Sequence, residues 1–145
     1  MIVVVCLNPA LDVTHHVTTV NWAGVNRPTA VHTRPGGKGV NVARTLHALG
    51  ADLLLTGLAG GVTGAGIVAA LGRLGVPTAL TPIAAETRRT FTVVDGEGAV
   101  TSFHEAGPDV TEREFDPHAA PRPAMRTTDD YLDRDANDPN EAEDR

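Results

Sequence analysis

Cysteine, aromatic side chains, clustered basic residues and long apolar runs are all scarce in this chain of 145 residues. The single cysteine, Cys6, excludes an intramolecular disulfide and a cysteine-based zinc site, and makes a reducing cytoplasm the expected compartment. Aromatics make up 3% of the residues, so a core must be assembled from Val, Leu, Ile and Ala. The apolar opening MIVVVCL is about seven residues with no basic lead, too short for a signal-peptide core or a membrane span. Lys and Arg number 12 against 18 Asp and Glu, a formal net charge of -6, and no basic cluster with interleaved aromatics appears. That excludes the electrostatic footprint of a nucleic-acid-binding surface.

What is present is glycine, 15 residues, and proline, 10, spread through aliphatic segments. This is the composition of an α/β domain with many tight turns, and the length suits one domain. Residues 2–7 read as a buried strand with Cys6 as a small core hydrophobe. Residues 12–20 and 28–33 read as half-exposed strands. A helix follows from near Val40, with Val42, Leu46 and Leu49 on one face and Gly50 at its end. Next come a strand over 52–58, a helix over 63–74 with Ile67, Leu71 and Leu74 on one face and Gly75 as its stop, and a strand over 78–83. Residues 90–94 and 99–104 flank Asp95-Gly96-Glu97-Gly98, a hairpin signal. Strands alternating with helices imply a parallel sheet, with the remaining β pieces as an appended flap. From Asp116 onward Pro and acidic residues scatter without apolar period, so a folded unit over 1–115 and a disordered acidic tail over 116–145 are expected.

The chemistry concentrates at Gly36-Gly37-Lys38-Gly39, just ahead of the first helix. Backbone N–H groups at a helix N-terminus suit an anionic or hydroxyl oxygen, and glycines let it approach closely. Lys38 adds a point charge, and Asn41 offers a donor and an acceptor to a polyol. Alternatively, the run is only a Gly-rich turn before a helix. The ATP-binding pattern Gly-x-x-x-x-Gly-Lys-Ser/Thr fails, because His32 and Gly39 stand where Gly and Ser or Thr are needed. Gly64-Ala65-Gly66 with Ala69 meets the dinucleotide pattern, and Glu86 stands where its acidic partner is wanted, yet beyond the end of the next strand. His15 and His16 are adjacent on a strand and point to opposite faces, and the other histidines lack ligand spacing, so no metal site is expected.

The run from Gly36 through Ala43, followed by Gly50 and Gly60, resembles the first of the two signatures of the PfkB carbohydrate-kinase family. LNPALDVT (7–14), Gly24-Val25-Asn26-Arg27, RPGGKGVNVAR (34–44) and ETRRT (86–90) resemble its 1-phosphofructokinase and tagatose-6-phosphate kinase branch, and the resemblance covers about residues 1–114. It implies a partial ribokinase-like three-layer αβα fold with a small β lid, and transfer of the ATP γ-phosphoryl group to a phosphorylated ketohexose, fructose 1-phosphate giving fructose 1,6-bisphosphate or a substrate of the tagatose 6-phosphate type. By position it implies that Asp12 accepts hydrogen bonds from sugar hydroxyls, that Gly36, Gly37 and Asn41 line the pocket, and that Lys38 and Arg88 meet the sugar's phosphate. A carboxylate is acceptor-only, and a guanidinium binds phosphate in two-pronged fashion, so the division is chemically sound. Taken alone, Asp12 would be a turn residue and Arg88 a solvated loop charge; Arg27 and Arg89 are weaker candidates.

The family's second signature supplies the general base and an anion-stabilising helix N-terminus, and nothing after Asp116 resembles it. The resemblance implies ATP and Mg²⁺, but their binding residues are not in this chain, so no turnover is expected from it alone. A half-sheet ending at its third core strand is expected to expose an edge and an apolar face. A frameshift or truncation near Asp116 would account for the change in character. The alternative is a non-catalytic sugar-phosphate-binding module or partner subunit, with the lid strands as a dimer clasp.

Overall fold

The computed structural model describes residues 1–115; the tail expected over 116–145 lies outside the described residues. In chain order the elements are β1 (Ile2–Cys6), β2 (Ala10–His16), β3 (Ala30–Gly36), α1 (Lys38–Ala48), β4 (Leu53–Gly60), α2 (Gly61–Arg73), β5 (Thr78–Ile83), β6 (Arg89–Val94), β7 (Val100–His104) and the short α3 (Glu112–Phe115).

β1, β4 and β5 form a parallel sheet in the order β1-β4-β5. The chain steps across it in one direction, so crossovers of one hand lay α1 and α2 on the same face. That face is the core: Val4, Cys6, Leu53 and Leu55 from the sheet meet Val40 and Ala43 of α1 and Ile67 and Leu71 of α2. Each fully buried Leu or Ile contributes about 1.5–3 kcal/mol relative to exposure. Cys6 is a buried member of this cluster, as its sequence context predicts. The opposite face is bare among the described residues, with Val3 54% and Val5 58% exposed. The described residues thus supply the sheet and one helical layer of the expected three-layer fold.

On α1 the predicted face is met only in part: Leu46 packs against the core. Val42 and Leu49 point outward, 50% and 77% exposed, whereas Val40 and Ala43 are fully buried. The cause is close approach: a Cβ on Gly39 would lie 2.7 Å from Cys6 Cβ, so the helix seats its small residues on β1. Counting only large apolar residues selects the wrong side. On α2, Ile67 and Leu71 are buried as expected, but Leu74 is the C-cap and half exposed. The stops are as read. Gly50 (φ +76) and Gly75 (φ +72) each follow a C-cap, with Gly50 N donating to His47 O and Ala51 N to Leu46 O, and Gly75 N to Gly72 O and Val76 N to Leu71 O. Both ends are Schellman motifs.

The remaining strands assemble into a second sheet, β3-β2-β6-β7, in which β2 runs antiparallel to β3 and parallel to β6. β6 and β7 are the predicted hairpin, closed by Asp95 Oδ1 accepting from the N–H groups of Glu97 (3.0 Å) and Ala99 (2.8 Å). β2 starts and stops earlier than the expected 12–20. After His16 the chain enters a loop that Asn26 clamps, its Oδ1 accepting from Asn21 N at 2.7 Å and its Nδ2 donating to Asn21 O at 2.8 Å. His15 and His16 do face opposite ways: His15 stacks on Phe91, and His16 meets His32 edge-on.

Candidate functional site

The two sheets are joined where β1 ends. Leu7-Asn8-Pro9 carries the chain from the parallel sheet into β2, and the N-terminus of α1 points at this junction. A site beyond the carboxyl ends of parallel strands is the usual ligand position in such folds.

Asp12 and Gly36 are brought together by strand pairing. The register sets Ala10 opposite Gly36 and Asp12 opposite Arg34, so Asp12 and Gly36 share one side of the sheet. The Asp12 carboxylate occupies the space that a Cβ on Gly36 would need. Its side chain is 22% exposed, and Arg34 Nε lies 3.9 Å from Oδ2, leaving acceptor capacity toward the junction. Gly37 is required twice over: it has φ +95, and a Cβ there would stand 3.1 Å from Pro9 Cα and 3.3 Å from Asn8 O.

The two long helices differ at their N-termini. On α2, Glu86 accepts from the N–H groups of Val62 (3.2 Å) and Thr63 (2.7 Å), which closes that end with a carboxylate. On α1, Gly37 provides no side-chain cap and the first turn holds no acidic residue. Among the described residues no side chain accepts from the first N–H groups of α1, and Lys38 lies beside them, a local positive potential suited to an anion. Glu86 is thus spent on a helix cap, and Gly64 lies inside α2 against Ala59 and Thr87, so the dinucleotide pattern serves helix packing.

Arg88 reaches the same junction. Its carbonyl accepts from Leu11 N at 3.1 Å, and its Nε donates to Asn8 Oδ1 at 3.0 Å. Among the described residues nothing meets its Nη groups. Arg89, by contrast, is occupied, bridging to Glu105 at 3.4 Å and lying over the Phe91 ring. Lys38 and Asn41 are exposed on the first turn of α1, and no hydrogen bond or ion pair joins their side chains to Asp12 or Arg88. Arg44 Nη1 donates to Pro35 O at 3.3 Å and ties the helix back to the glycine loop.

Sequence reasoning passed over Arg34 and Asn8. Arg34 follows from the β2–β3 register, which an antiparallel pairing anchored on the glycine loop would have revealed. Asn8 carried no local signal, because its partner Arg88 lies 80 residues away.

Residues 5–129 match the family described as pfkB family carbohydrate kinase. The ATP-dependent 6-phosphofructokinase isozyme 2 of Mycobacterium tuberculosis is 42% identical over 114 residues, 78% of this chain and 34% of the relative. The fold superposes with a TM-score of 0.75 on phosphofructokinase-2 from Escherichia coli in complex with fructose-6-phosphate, at 33% identity over 79% of this chain and 38% of that one. The tetrameric inhibited form of the same E. coli enzyme gives a TM-score of 0.73. This chain therefore spans about a third of the length of the curated relatives it matches. A glycine-lined helix start at a β-lid junction, matched over most of the sequence, places this chain in the pfkB family of carbohydrate kinases.

Proposed function

We propose that this chain is the sugar-phosphate-binding part of an ATP-dependent kinase acting on a phosphorylated ketohexose. The observation that carries the reading is the uncapped N-terminus of α1, led by Gly36 against the Asp12 carboxylate and by Gly37 against Asn8, the hydrogen-bond partner of Arg88. Asp12 accepts from sugar hydroxyls; Gly36, Gly37 and Asn41 line the pocket; Lys38 and Arg88 hold the phosphate. Fructose 1-phosphate and fructose 6-phosphate both give fructose 1,6-bisphosphate, and the branch resemblance favours the first. The E. coli neighbour is described with fructose-6-phosphate, which keeps the second as the direct competitor.

The family implies ATP. Among the described residues no group of three His, Cys, Asp or Glu could hold a metal ion, and the glycine loop lacks the Ser or Thr of a nucleotide-binding loop. None of the described residues is assigned to a Mg²⁺–triphosphate. Binding without turnover is the corresponding expectation. Incubating the chain with ATP, Mg²⁺ and either fructose phosphate should yield no ADP above background, and sustained ADP formation would refute it.

A second reading, a non-catalytic binding module or partner subunit that pairs through the lid, is favoured by the outer strands of the second sheet. Val31 on β3 and Phe103 on β7 are 53% and 54% exposed, and Trp22 in the adjoining loop is 71% exposed. Sedimentation across a concentration series, with and without a full-length relative, separates a lid-paired subunit from a monomer. No helix among the described residues is long and apolar enough to cross a membrane.

A further inference from the structure

We infer that Asn8 is a positioning residue for Arg88, a neutral strut that aims the guanidinium without neutralising it; the inference rests on the sugar-phosphate reading above. An arginine side chain has several rotatable bonds, and fixing them on binding costs affinity unless they are already fixed. Here Arg88 Nε donates to Asn8 Oδ1 at 3.0 Å. Because a guanidinium only donates, the amide oxygen must face it and the Nδ2 must face away. Engaging Nε leaves the Nη edge for two parallel hydrogen bonds to an oxyanion.

Asn8 is closely approached from two sides by glycine backbone. A Cβ on Gly37 would come within 3.3 Å of the Asn8 carbonyl oxygen, and a Cβ on Gly107 within 2.7 Å of Asn8 Nδ2. Pro9 follows and restricts its backbone. One residue thus links the α1 N-terminus, Arg88 and the segment after β7, and sets the spacing between two positively polarised groups. Neutrality matters: an aspartate here would keep the hydrogen bond but place a negative charge beside the guanidinium, opposing a phosphate.

The test is calorimetric titration of the 145-residue chain with fructose 1-phosphate and fructose 6-phosphate, using wild type, Asn8→Ala, Asn8→Asp and Arg88→Ala. The Arg88 Nε–H nuclear magnetic resonance signal, assigned by its loss in Arg88→Ala, is followed in parallel. Asn8→Ala should weaken binding about 3- to 10-fold, the scale of one lost hydrogen bond, and shift the Nε–H signal. Asn8→Asp should move the Nε–H signal the opposite way from Asn8→Ala, as a retained and charge-assisted hydrogen bond requires, yet weaken binding more than Asn8→Ala. A merely structural Asn8 predicts the reverse order, since Asp is nearly isosteric and preserves packing. Wild-type affinity in both Asn8 variants, with binding lost in Arg88→Ala, overturns the positioning role alone. Undiminished binding in Arg88→Ala overturns the phosphate-site reading beneath it.

Discussion

The carboxylate of Asp12 fills the place where a Cβ on Gly36 would stand, so the acceptor and the glycine form one structural unit. Gly36 does not have a positive φ, so alanine suits its backbone, and the atoms nearest an added Cβ all belong to the Asp12 carboxylate. Gly36→Ala should cost about 1–3 kcal/mol of stability as an overpacking change, seen as a lowered unfolding midpoint. It should also swing the carboxylate out of the junction and weaken sugar-phosphate binding at least about 10-fold, the cost of misplacing one charge-assisted acceptor. Unchanged affinity would mean that Asp12 does not bind sugar from this position.

Glu86 caps α2 through Val62 and Thr63 and takes no part in the α1 site. Glu86→Ala should therefore destabilise by about 1 kcal/mol, the usual cost of a lost N-terminal cap. Chemical denaturation reads that loss, and sugar-phosphate affinity of the folded variant should stay within about 2-fold of wild type. A selective loss of affinity would move Glu86 into the binding site.

α1 is seated by Val40 and Ala43 and α2 by Ile67 and Leu71, and paired substitutions separate buried from outward positions. Ile67→Ala removes a fully buried side chain and should cost about 2–5 kcal/mol. Val42→Ala, on the outward side of α1, should change stability by no more than about 0.5 kcal/mol. Comparable losses in the two variants would place Val42 in the core rather than on the outward side.

Much of this was legible in the sequence. Gly50 and Gly75 stop their helices with the positive φ that only glycine supplies cheaply, and the Asp95–Gly98 turn closes its hairpin as read. Strand 78–83 has its expected bounds as β5 (Thr78–Ile83). What escaped depends on the third dimension. The buried side of α1 is chosen by Gly39 lying against Cys6, which a count of large apolar residues cannot register. The joining of β2 to β6 across more than 70 intervening residues, which brings Arg88 to Leu11 and Asn8, has no local signature. For the site, the sequence pattern named Asp12, Gly36, Gly37 and Arg88, and strand register explains how the first two meet. Arg34, which lies 3.9 Å from Asp12, and Asn8, which accepts from Arg88, emerge only from the pairing.

On the proposed function, the junction binds a sugar phosphate through one carboxylate and one guanidinium. Calorimetric titration of the chain with fructose 1-phosphate and fructose 6-phosphate, alongside Asp12→Ala, Arg88→Ala and unphosphorylated fructose, tests it most directly. The account predicts saturable one-to-one binding of at least one sugar phosphate, loss in both variants with the circular dichroism spectrum retained, and no measurable heat with fructose. Absence of binding by the folded wild-type chain, or binding indifferent to both substitutions, would contradict it.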